Sequence, residues 1–514
     1  MRKNYSLFLI LFMACSIGFA QEKIDYSVIS KLKDEEFKRS QVMDILFNLT
    51  DVSGPRLTGS GNLAHAQEWA VKQLSDWGMV NAKTEAWGGF GKGWEIEKSY
   101  LAMTVPYYQP LIAVPKAWTG STNGLVKAQA VLMKVDSVQD LDAFKGKLAG
   151  KIVVIYSSNE VKLGLKPEAS RYTAEELRKI YMDESVEPDD DPPFDVAKFR
   201  AARAMRKKIN AMLADENPAL ILSARGGTMG TLRTSNGASF ATDAKPAIAE
   251  MEMGNEHFNR LIRLLQAKKD VQLEAEVKTK FLDKDTMQYN VVAEIAGTDK
   301  NLKSEVVMLG AHLDSWHSAT GATDNATGCA VMMEAMRILK TLDVKPRRTI
   351  RIALWSGEEQ GLYGSKGYVK NHFANPDSMV LKPEHAKLSA YYNLDNGGGR
   401  IRGIYLQGND GLRSLFEAWL EPFKDLDVTT VTARGTGSTD HISFDEVGLP
   451  GFQFIQDPMD YDTKTHHTNM DTYDRVQKGD LEQAAVVVAS VVYHTAMRDG
   501  MLLRKPLPKA KEKK

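Results

Sequence analysis

Histidine and carboxylate side chains in five short segments carry the chemistry that this sequence suggests most clearly. The segments are His312-Leu313-Asp314, Asp324-Asn325, Glu358-Glu359, Asp395 and His466-His467. Two histidines and three carboxylates, with no cysteine among them, make a nitrogen and oxygen donor set suited to Zn²⁺, Mn²⁺ or Co²⁺. The candidate metal ligands are His312, Asp324, Asp395, one of the two adjacent glutamates and one of the two adjacent histidines, here Glu359 and His467.

The charges of these ligands favour two metal ions over one. Asp324, Glu359 and Asp395 supply three negative charges against the four positive charges of two divalent ions, and one hydroxide balances the remainder. A single ion would leave buried carboxylates unpaired, and burying unpaired charge is costly. We therefore expect two divalent ions about 3.5–4 Å apart, with zinc as the first choice.

Two further carboxylates have roles that follow from their positions beside the ligands. Glu358 and Glu359 are adjacent, so in extended backbone one can bind metal while the other accepts a proton from water. Asp314 follows His312 by two residues, within range to accept the second ring N–H of that histidine and fix its tautomer.

Predicted strands explain how segments so distant in sequence can meet. Apolar runs at 291–295, 306–309, 349–355, 390–394 and 451–455 read as strands, and helices are expected at 326–340 and 481–496. This alternation predicts an α/β fold with a mixed, mostly parallel sheet flanked by helices on both faces. Each of the first four segments falls just after a strand or in the loop that it feeds, and ligands bind beyond the carboxyl ends of such strands. A pattern such as His-x-Asp or Glu-Glu is common on protein surfaces when it occurs alone. The placement of these segments after predicted strands indicates that they form one site.

Length, charge and the N-terminus set the context for this site. A chain of 514 residues is long enough for two domains, and its 66 basic and 66 acidic residues give no support for nucleic-acid binding. A basic start, a short apolar run and small residues up to Ala20 predict a signal peptide and export, with lipid attachment at Cys15 as the alternative. No later stretch is apolar for long enough to span a membrane. After cleavage Cys329 is the one remaining cysteine, so no internal disulfide can form.

At the ligand segments the sequence resembles the co-catalytic zinc exopeptidases of metallopeptidase family twenty-eight, particularly the branch of carboxypeptidase Q and the bacterial leucyl aminopeptidases. The matching segments are 310–315, 322–328, 355–361, 393–395 and 467–472, and the segment 55–60 resembles the family's N-terminal portion. The resemblance implies the zinc exopeptidase fold, two zinc ions and hydrolysis of terminal peptide bonds.

The resemblance also implies individual roles. Asp324 would bridge both ions, with His312 and Asp395 completing one site and Glu359 and His467 the other. Glu358 would be the general base, His466 a bystander, and the Asp324–Asn325 peptide bond cis. His441, in a segment that resembles a family loop near the substrate, is a candidate to stabilise the oxyanion or contact substrate.

A stretch from about 125 to 280 is similar to a protease-associated domain inserted into the peptidase, with strands expected at 150–156 and 219–222. The resulting order is a signal peptide at 1–20, peptidase parts at 21–124 and 281–504 around the β-rich insert at 125–280, and a disordered basic tail at 505–514. An acidic loop at 189–193 and the basic helix after it read as a solvated insertion, with a lid over the cleft as the alternative.

The expected function is that of a secreted aminopeptidase or dipeptidase acting on peptides or dipeptides, with a homodimer left open. The alternatives are a carboxypeptidase of the carboxypeptidase Q kind and a receptor-like binding protein that has lost catalysis. An aminoacylase-type amidase and a one-zinc glutaminyl cyclase are disfavoured by Asn325 after the bridging aspartate and by the complete ligand set, respectively.

Overall fold

The computed structural model describes residues 22–183, 196–245 and 247–510. The predicted signal peptide, Cys15 and the acidic loop at 189–193 lie outside these residues. Within them the helices, numbered α1 to α11 in chain order, are Tyr26–Arg39, Val42–Phe47, Gly61–Asp76, Ala174–Met182, Val196–Glu216, Asn255–Gln266, Thr327–Thr341, Tyr363–His372, Arg413–Leu420, His441–Asp445 and Lys478–Met497. The strands, numbered β1 to β18, are Val80–Gly89, Gly93–Val105, Gln109–Pro110, Ala113–Pro115, Val126–Met133, Ile152–Ile155, Leu220–Ser223, Glu250–Met253, Gln272–Leu282, Met287–Ile295, Val306–His312, Thr349–Trp355, Ala374–Asn375, Val380–Leu381, Leu388–Asn393, Ile401–Tyr405, Thr430–Thr432 and Gly451–Gln456.

An eight-stranded mixed sheet forms the frame that positions the ligand segments. Its strand order is β1-β10-β12-β11-β15-β18-β16-β17. The four central strands β12, β11, β15 and β18 are parallel, and antiparallel pairs lie on both sides of them. The five strands predicted between 291 and 455 are β10, β11, β12, β15 and β18, so the predicted α/β sheet is confirmed.

Both faces of this sheet are covered by helices, as the apolar strands require. Along β11, Val307 and Leu309 lie in one core with residues of α7 and α11, whereas Met308 lies in the opposite core with residues of α8 and α10. Helices α7 and α11 are almost fully buried, which fits their nearly continuous apolar sequences. The carboxyl ends of the parallel strands therefore meet at one edge of a rigid, packed layer.

A second eight-stranded sheet lies between β1 and β10 in sequence. Its order is β3-β2-β9-β5-β6-β7-β8-β4, and it contains the predicted strands at 150–156 and 219–222 as β6 and β7. Phe258 and Leu261 of α6 pack on one face, and Met212 and Leu213 of α5 pack on the other. The second sheet thus has a hydrophobic core of its own. The segments that connect its strands can therefore contact the first sheet.

Two predicted boundaries differ from the structure. The second sheet begins with β2 rather than near residue 125, because β2 pairs along its length with β9. The sequence of β2 alone does not show which sheet it joins. The tail predicted to be disordered is anchored at its start, since the Lys505 ammonium lies 2.6 Å from the Asp445 carboxylate and donates to the Gln407 carbonyl. Across the described parts of the chain, none of the helices has the length and hydropathy that crossing a bilayer requires.

Candidate metal centre

The loops that follow β11, β12, β15 and β18 enclose an open cavity of about 720 Å³. Its lining contains the four predicted ligands Asp324, Glu359, Asp395 and His467, together with Glu358. The fifth predicted ligand, His312, is the last residue of β11 and is buried in contact with Asp324 and Asp395. The structure therefore gathers every predicted ligand at the edge of the sheet.

The donor atoms form two groups that share Asp324. On one side, His312 Nε2 lies 3.3 Å from Asp324 Oδ1 and 3.3 Å from Asp395 Oδ1. On the other side, His467 Nε2 lies 3.2 Å from Asp324 Oδ2 and 2.9 Å from Glu359 Oε2. Asp324 thus presents one carboxylate oxygen to each histidine, which is the arrangement of a bridging ligand.

These spacings fit metal coordination. A tetrahedral zinc ion with bonds of about 2.0–2.1 Å separates its donors by roughly 3.3–3.4 Å. In addition, Asp324 Oδ2 and Glu359 Oε1 are buried, and no donor within the described residues forms a hydrogen bond with either oxygen. Buried carboxylate oxygens without donors are costly unless a cation offsets their charge. The residues present therefore fit a pair of divalent ions.

His312 is oriented by the main chain rather than by the Asp314 carboxylate. Its Nδ1 donates to the Asp314 backbone carbonyl at 3.0 Å, which leaves the lone pair of Nε2 directed at Asp324 and Asp395. The Asp314 carboxylate instead accepts the backbone N–H groups of Glu358 and Glu359 at 3.3 and 3.2 Å. Asp314 therefore accepts the second ring N–H of His312, as the spacing predicted, through its backbone carbonyl rather than its carboxylate.

Glu358 stands beside the donor groups without joining them. Its carboxylate lies 3.9 Å from His312 Nε2, farther than any of the donor contacts, and it lines the cavity. Burial raises the pKa of the Glu358 carboxyl well above the ordinary value for glutamate; His312 opposes the shift and Asp395 reinforces it. A buried carboxylate of raised basicity facing the cavity is suited to accept a proton.

Asp324 is held by a carboxylate that the sequence did not single out. Asp471 accepts the backbone N–H of Thr323 at 2.6 Å and that of Asp324 at 3.1 Å. Just before them, Gly321 has φ of +58°, and a Cβ there would lie 2.2 Å from the Ser315 side chain. The Asp324–Asn325 peptide bond is cis, which confirms the bond that the resemblance implied.

Arg56 is a second structural residue of the site whose function the sequence did not reveal. The side chain is completely buried, and its guanidinium spans the loops on both sides of the ligands. It donates to the backbone carbonyls of Leu49, Leu313, Thr320 and Gly321 at 2.6, 2.7, 2.6 and 2.9 Å. These bonds fix the backbone between His312 and Asp324.

His441, the candidate for oxyanion binding or substrate contact, is not among the residues that line the cavity. Its ring is buried at the start of α10, with Nε2 3.1 Å from the Thr436 carbonyl and 2.5 Å from the Gln407 side-chain nitrogen. Burial lowers the pKa of His441 to about 4. The chain turns at Ser438, whose φ is +65°, so Ser438 and Thr439 line the cavity instead.

His466, which the resemblance implied to be a bystander, lies near the candidate donor atoms of the metal centre. It lines the cavity, its ring stacks on Tyr461 at 4.7 Å between centroids, and one of its nitrogens falls within 4.8 Å of donor atoms of Asp324 and His467. His467, in contrast, has Asp324 and Glu359 oxygens at 3.2 and 2.9 Å. His467 therefore remains the better candidate ligand.

Comparison with known proteins places this site in a family. Residues 290–492 match the model of peptidase family M28, and this range contains all five donors and Glu358. Carboxypeptidase Q of Mus musculus is 26% identical over 486 residues, covering 94% of this chain and 90% of the relative. Residues 290–492 form a peptidase family M28 domain. The protein is a zinc-dependent metallo-exopeptidase, which confirms the predicted class of enzyme.

Solved structures of other peptidases share the fold. The crystal structure of a peptidase M28 precursor from Shewanella amazonensis superposes with a TM-score of 0.65 at 25% identity, covering 94% of this chain and 98% of that one. The zinc aminopeptidase BSAP from Bacillus subtilis gives a TM-score of 0.55 at 19% identity, with 89% and 95% covered. The second similarity concerns the fold alone.

Proposed function

We propose that this M28 enzyme is a dizinc aminopeptidase that removes N-terminal residues from short peptides, including dipeptides. The observation that carries the proposal is the sharing of Asp324 between two donor groups, each with spacings of about 3 Å. In this assignment His312, Asp324 and Asp395 hold one zinc ion, and His467, Asp324 and Glu359 hold the other. Nitrogen and oxygen donors without cysteine suit zinc, and the Bacillus subtilis neighbour is titled a zinc aminopeptidase.

The chemistry assigned to the chain's own residues is proton transfer. When bound, the two ions would supply Lewis acidity toward water and the scissile carbonyl. Glu358 accepts the proton of the attacking water and then donates it to the leaving amine, because it lines the cavity without belonging to either donor group. The Asp314 carboxylate keeps both glutamates in place by accepting their backbone N–H groups.

The charge of the cavity favours a substrate with a free amino terminus. Apart from the ligands and Glu358, its lining includes Asp462 and the neutral side chains of Tyr172, Tyr405 and Asn396, among others. No Arg or Lys occurs in that lining, as far as the described residues form it. Once two metal ions balance the ligand carboxylates, Glu358 and Asp462 remain to attract a substrate ammonium, whereas a terminal carboxylate finds no Arg or Lys in this lining.

Blocked dipeptides test the direction of cleavage. We expect Ala-Leu and Ala-Leu-amide to be hydrolysed at similar kcat/KM, and N-acetyl-Ala-Leu to lose at least about 100-fold, roughly the energy of one charged contact. The mouse relative is named a carboxypeptidase, so the opposite result is the second candidate function. Hydrolysis of N-acetyl-Ala-Leu, together with failure to hydrolyse Ala-Leu-amide, would establish carboxypeptidase activity and reject the proposed aminopeptidase activity.

Export completes the proposal, since the basic and apolar N-terminus up to Ala20 is typical of a signal peptide. N-terminal sequencing of the mature protein tests it: a first residue of Gln21 is expected, and an intact Met1 in the mature protein would contradict export. The homodimer and the protease-associated nature of the second sheet remain predictions.

A further inference from the structure

The loop that carries His467 is held largely by the second sheet's part of the chain. We name residues 457–472, which follow β18, the ligand loop, and residues 230–236, between β7 and β8, the bracing loop. The bracing loop runs antiparallel beside the ligand loop, with Arg233 opposite Thr468. The other ligands differ in this respect, since His312, Glu359 and Asp395 lie in or directly after strands of the first sheet.

The two peptide groups that flank His467 are both fixed by the bracing loop. The carbonyl before it, that of His466, accepts a hydrogen bond from Arg233 Nη1 at 3.2 Å. The carbonyl of His467 itself accepts the backbone N–H of Thr234 at 2.7 Å. Because φ and ψ of a residue are set by the planes on either side of its Cα, these bonds determine where the His467 side chain points.

His467 needs such support, because its backbone is in the left-handed region with φ of +58°. A residue with a Cβ adopts that conformation at a cost of about 1 kcal/mol or more unless its surroundings impose it. The ligand loop has no strand partner of its own at this point; its regular structure is a single short turn at Tyr461–Thr465. The bracing loop supplies the missing constraint.

Further contacts hold the ligand loop on both sides of His467. Arg233 Nη2 donates to the Asp462 carbonyl at 2.8 Å, so one guanidinium joins two points of the loop. Asn469 accepts from the Leu232 N–H at 2.9 Å and donates to the Gly230 carbonyl at 3.1 Å. On the far side, Ser170 and Met459 exchange two backbone hydrogen bonds of 2.9 Å.

From these contacts we propose that the bracing loop is a positioning element for the ion at His467, and that Arg233 is its main positioning residue. The proposal rests on the metal ligation proposed above. Arg233 acts through the backbone carbonyls of His466 and Asp462 and is not itself one of the residues that line the cavity. Its loss frees the orientation of His467, and the ion shared by His467 and Glu359 is held more weakly. The ion at His312 and Asp395 keeps its affinity.

Zinc release at graded free-zinc concentrations tests this. Wild-type enzyme, Arg233→Ala and the control Arg260→Ala are equilibrated in chelator-buffered zinc, and bound zinc is measured by mass spectrometry. Arg260 contacts Gln109 within the second sheet and has no role in the bracing loop. We expect Arg233→Ala to release one ion at about 10–100-fold higher free zinc than wild type, the usual effect of losing an outer-shell partner. Arg260→Ala should match wild type.

Two further readouts separate positioning from general structural damage. Excess zinc should restore kcat of Arg233→Ala with KM unchanged, and the metal-free variant should melt within a few degrees of the metal-free wild type. Arg233→Lys keeps the charge but cannot reach both carbonyls, so it should weaken binding of the ion at His467 less than Arg233→Ala does. If the alanine variant does not fold, the lysine variant takes its place in the zinc-release experiment.

Several results would overturn the inference. Unchanged release of both ions, equal weakening of both ions, or a raised KM with normal zinc content would each show that Arg233 does not position His467. A wild-type enzyme that binds fewer than two zinc ions would instead reject the dizinc assignment itself, so the two failures are distinguishable.

Discussion

The replacement Glu358→Gln separates proton transfer from metal binding. It keeps the shape of the side chain and removes the basic oxygen. Glu358 lies 3.9 Å from His312 Nε2, outside the 2.9–3.3 Å spacings of the donor groups, so the variant should keep two ions. A general base contributes about 10²–10⁴-fold to rate, equivalent to about 3–5 kcal/mol of activation free energy. We expect kcat for Ala-Leu to fall by that factor at saturating substrate.

The matched control is Glu359→Gln, the same chemical change one residue later. Because Glu359 lies 2.9 Å from His467 Nε2, this variant should lose one ion as well as activity. Both enzymes are assayed for kcat and for zinc per chain in the same preparation. A Glu358→Gln variant that loses zinc, or that keeps kcat within tenfold of wild type, would refute the assigned role. A reversed pattern would exchange the roles of the two glutamates.

Three further perturbations follow from the same geometry. Asp324→Ala should remove both ions, whereas Asp324→Asn, which retains one carbonyl oxygen, should keep at most one; two tightly bound ions in the alanine variant would disprove bridging. In an activity assay, a chelator should abolish activity and added zinc should restore it. Thiol reagents should have no effect, because burial raises the pKa of Cys329 to about 12. Inactivation by thiol reagents without inactivation by the chelator would instead point to the Cys329 thiol. Arg56→Ala should lower the free energy of unfolding by about 3–5 kcal/mol in urea titration, because four backbone carbonyls, three of them in buried hydrogen bonds, lose their donor. A loss below about 1 kcal/mol would contradict the proposed anchoring of the ligand loops.

The sequence predicted the sheet and pointed to the side chains that the structure brings together at its edge, because both depend on short-range patterns. Apolar runs such as 349–355 are long enough to be recognised as buried strands, and parallel strands bring the residues after them to one edge. His312 ends β11 and Glu359 follows β12, and the parallel pairing of these two strands brings the two residues to the same edge.

What the sequence could not give were directions set by distant contacts. His441 shares a loop with Ser438 and Thr439, yet only their side chains reach the cavity, because the turn at Ser438 rotates the chain before α10 begins. Asp471 and Arg56 act on backbone groups far away in sequence, and such bonds leave no periodic signal. The loop residue Arg233 is separated from His466 by 233 positions, so its contact was invisible until the fold was known.

The sequence could not assign β2 to the second sheet for a related reason. The mixture of apolar and charged residues in β2 would suit either sheet. Its register with β9, from Gly93 opposite Leu282 to Val105 opposite Gln272, decides the matter, and register is a property of two segments together.

Anomalous diffraction from zinc-loaded crystals tests the central claim most directly. Two peaks are expected about 3.5–4 Å apart, one beside His312 and Asp395 and one beside Glu359 and His467, with the Asp324 carboxylate between them. A single peak, or two peaks of which neither contacts Asp324, would contradict the shared-carboxylate centre and the mechanism built on it.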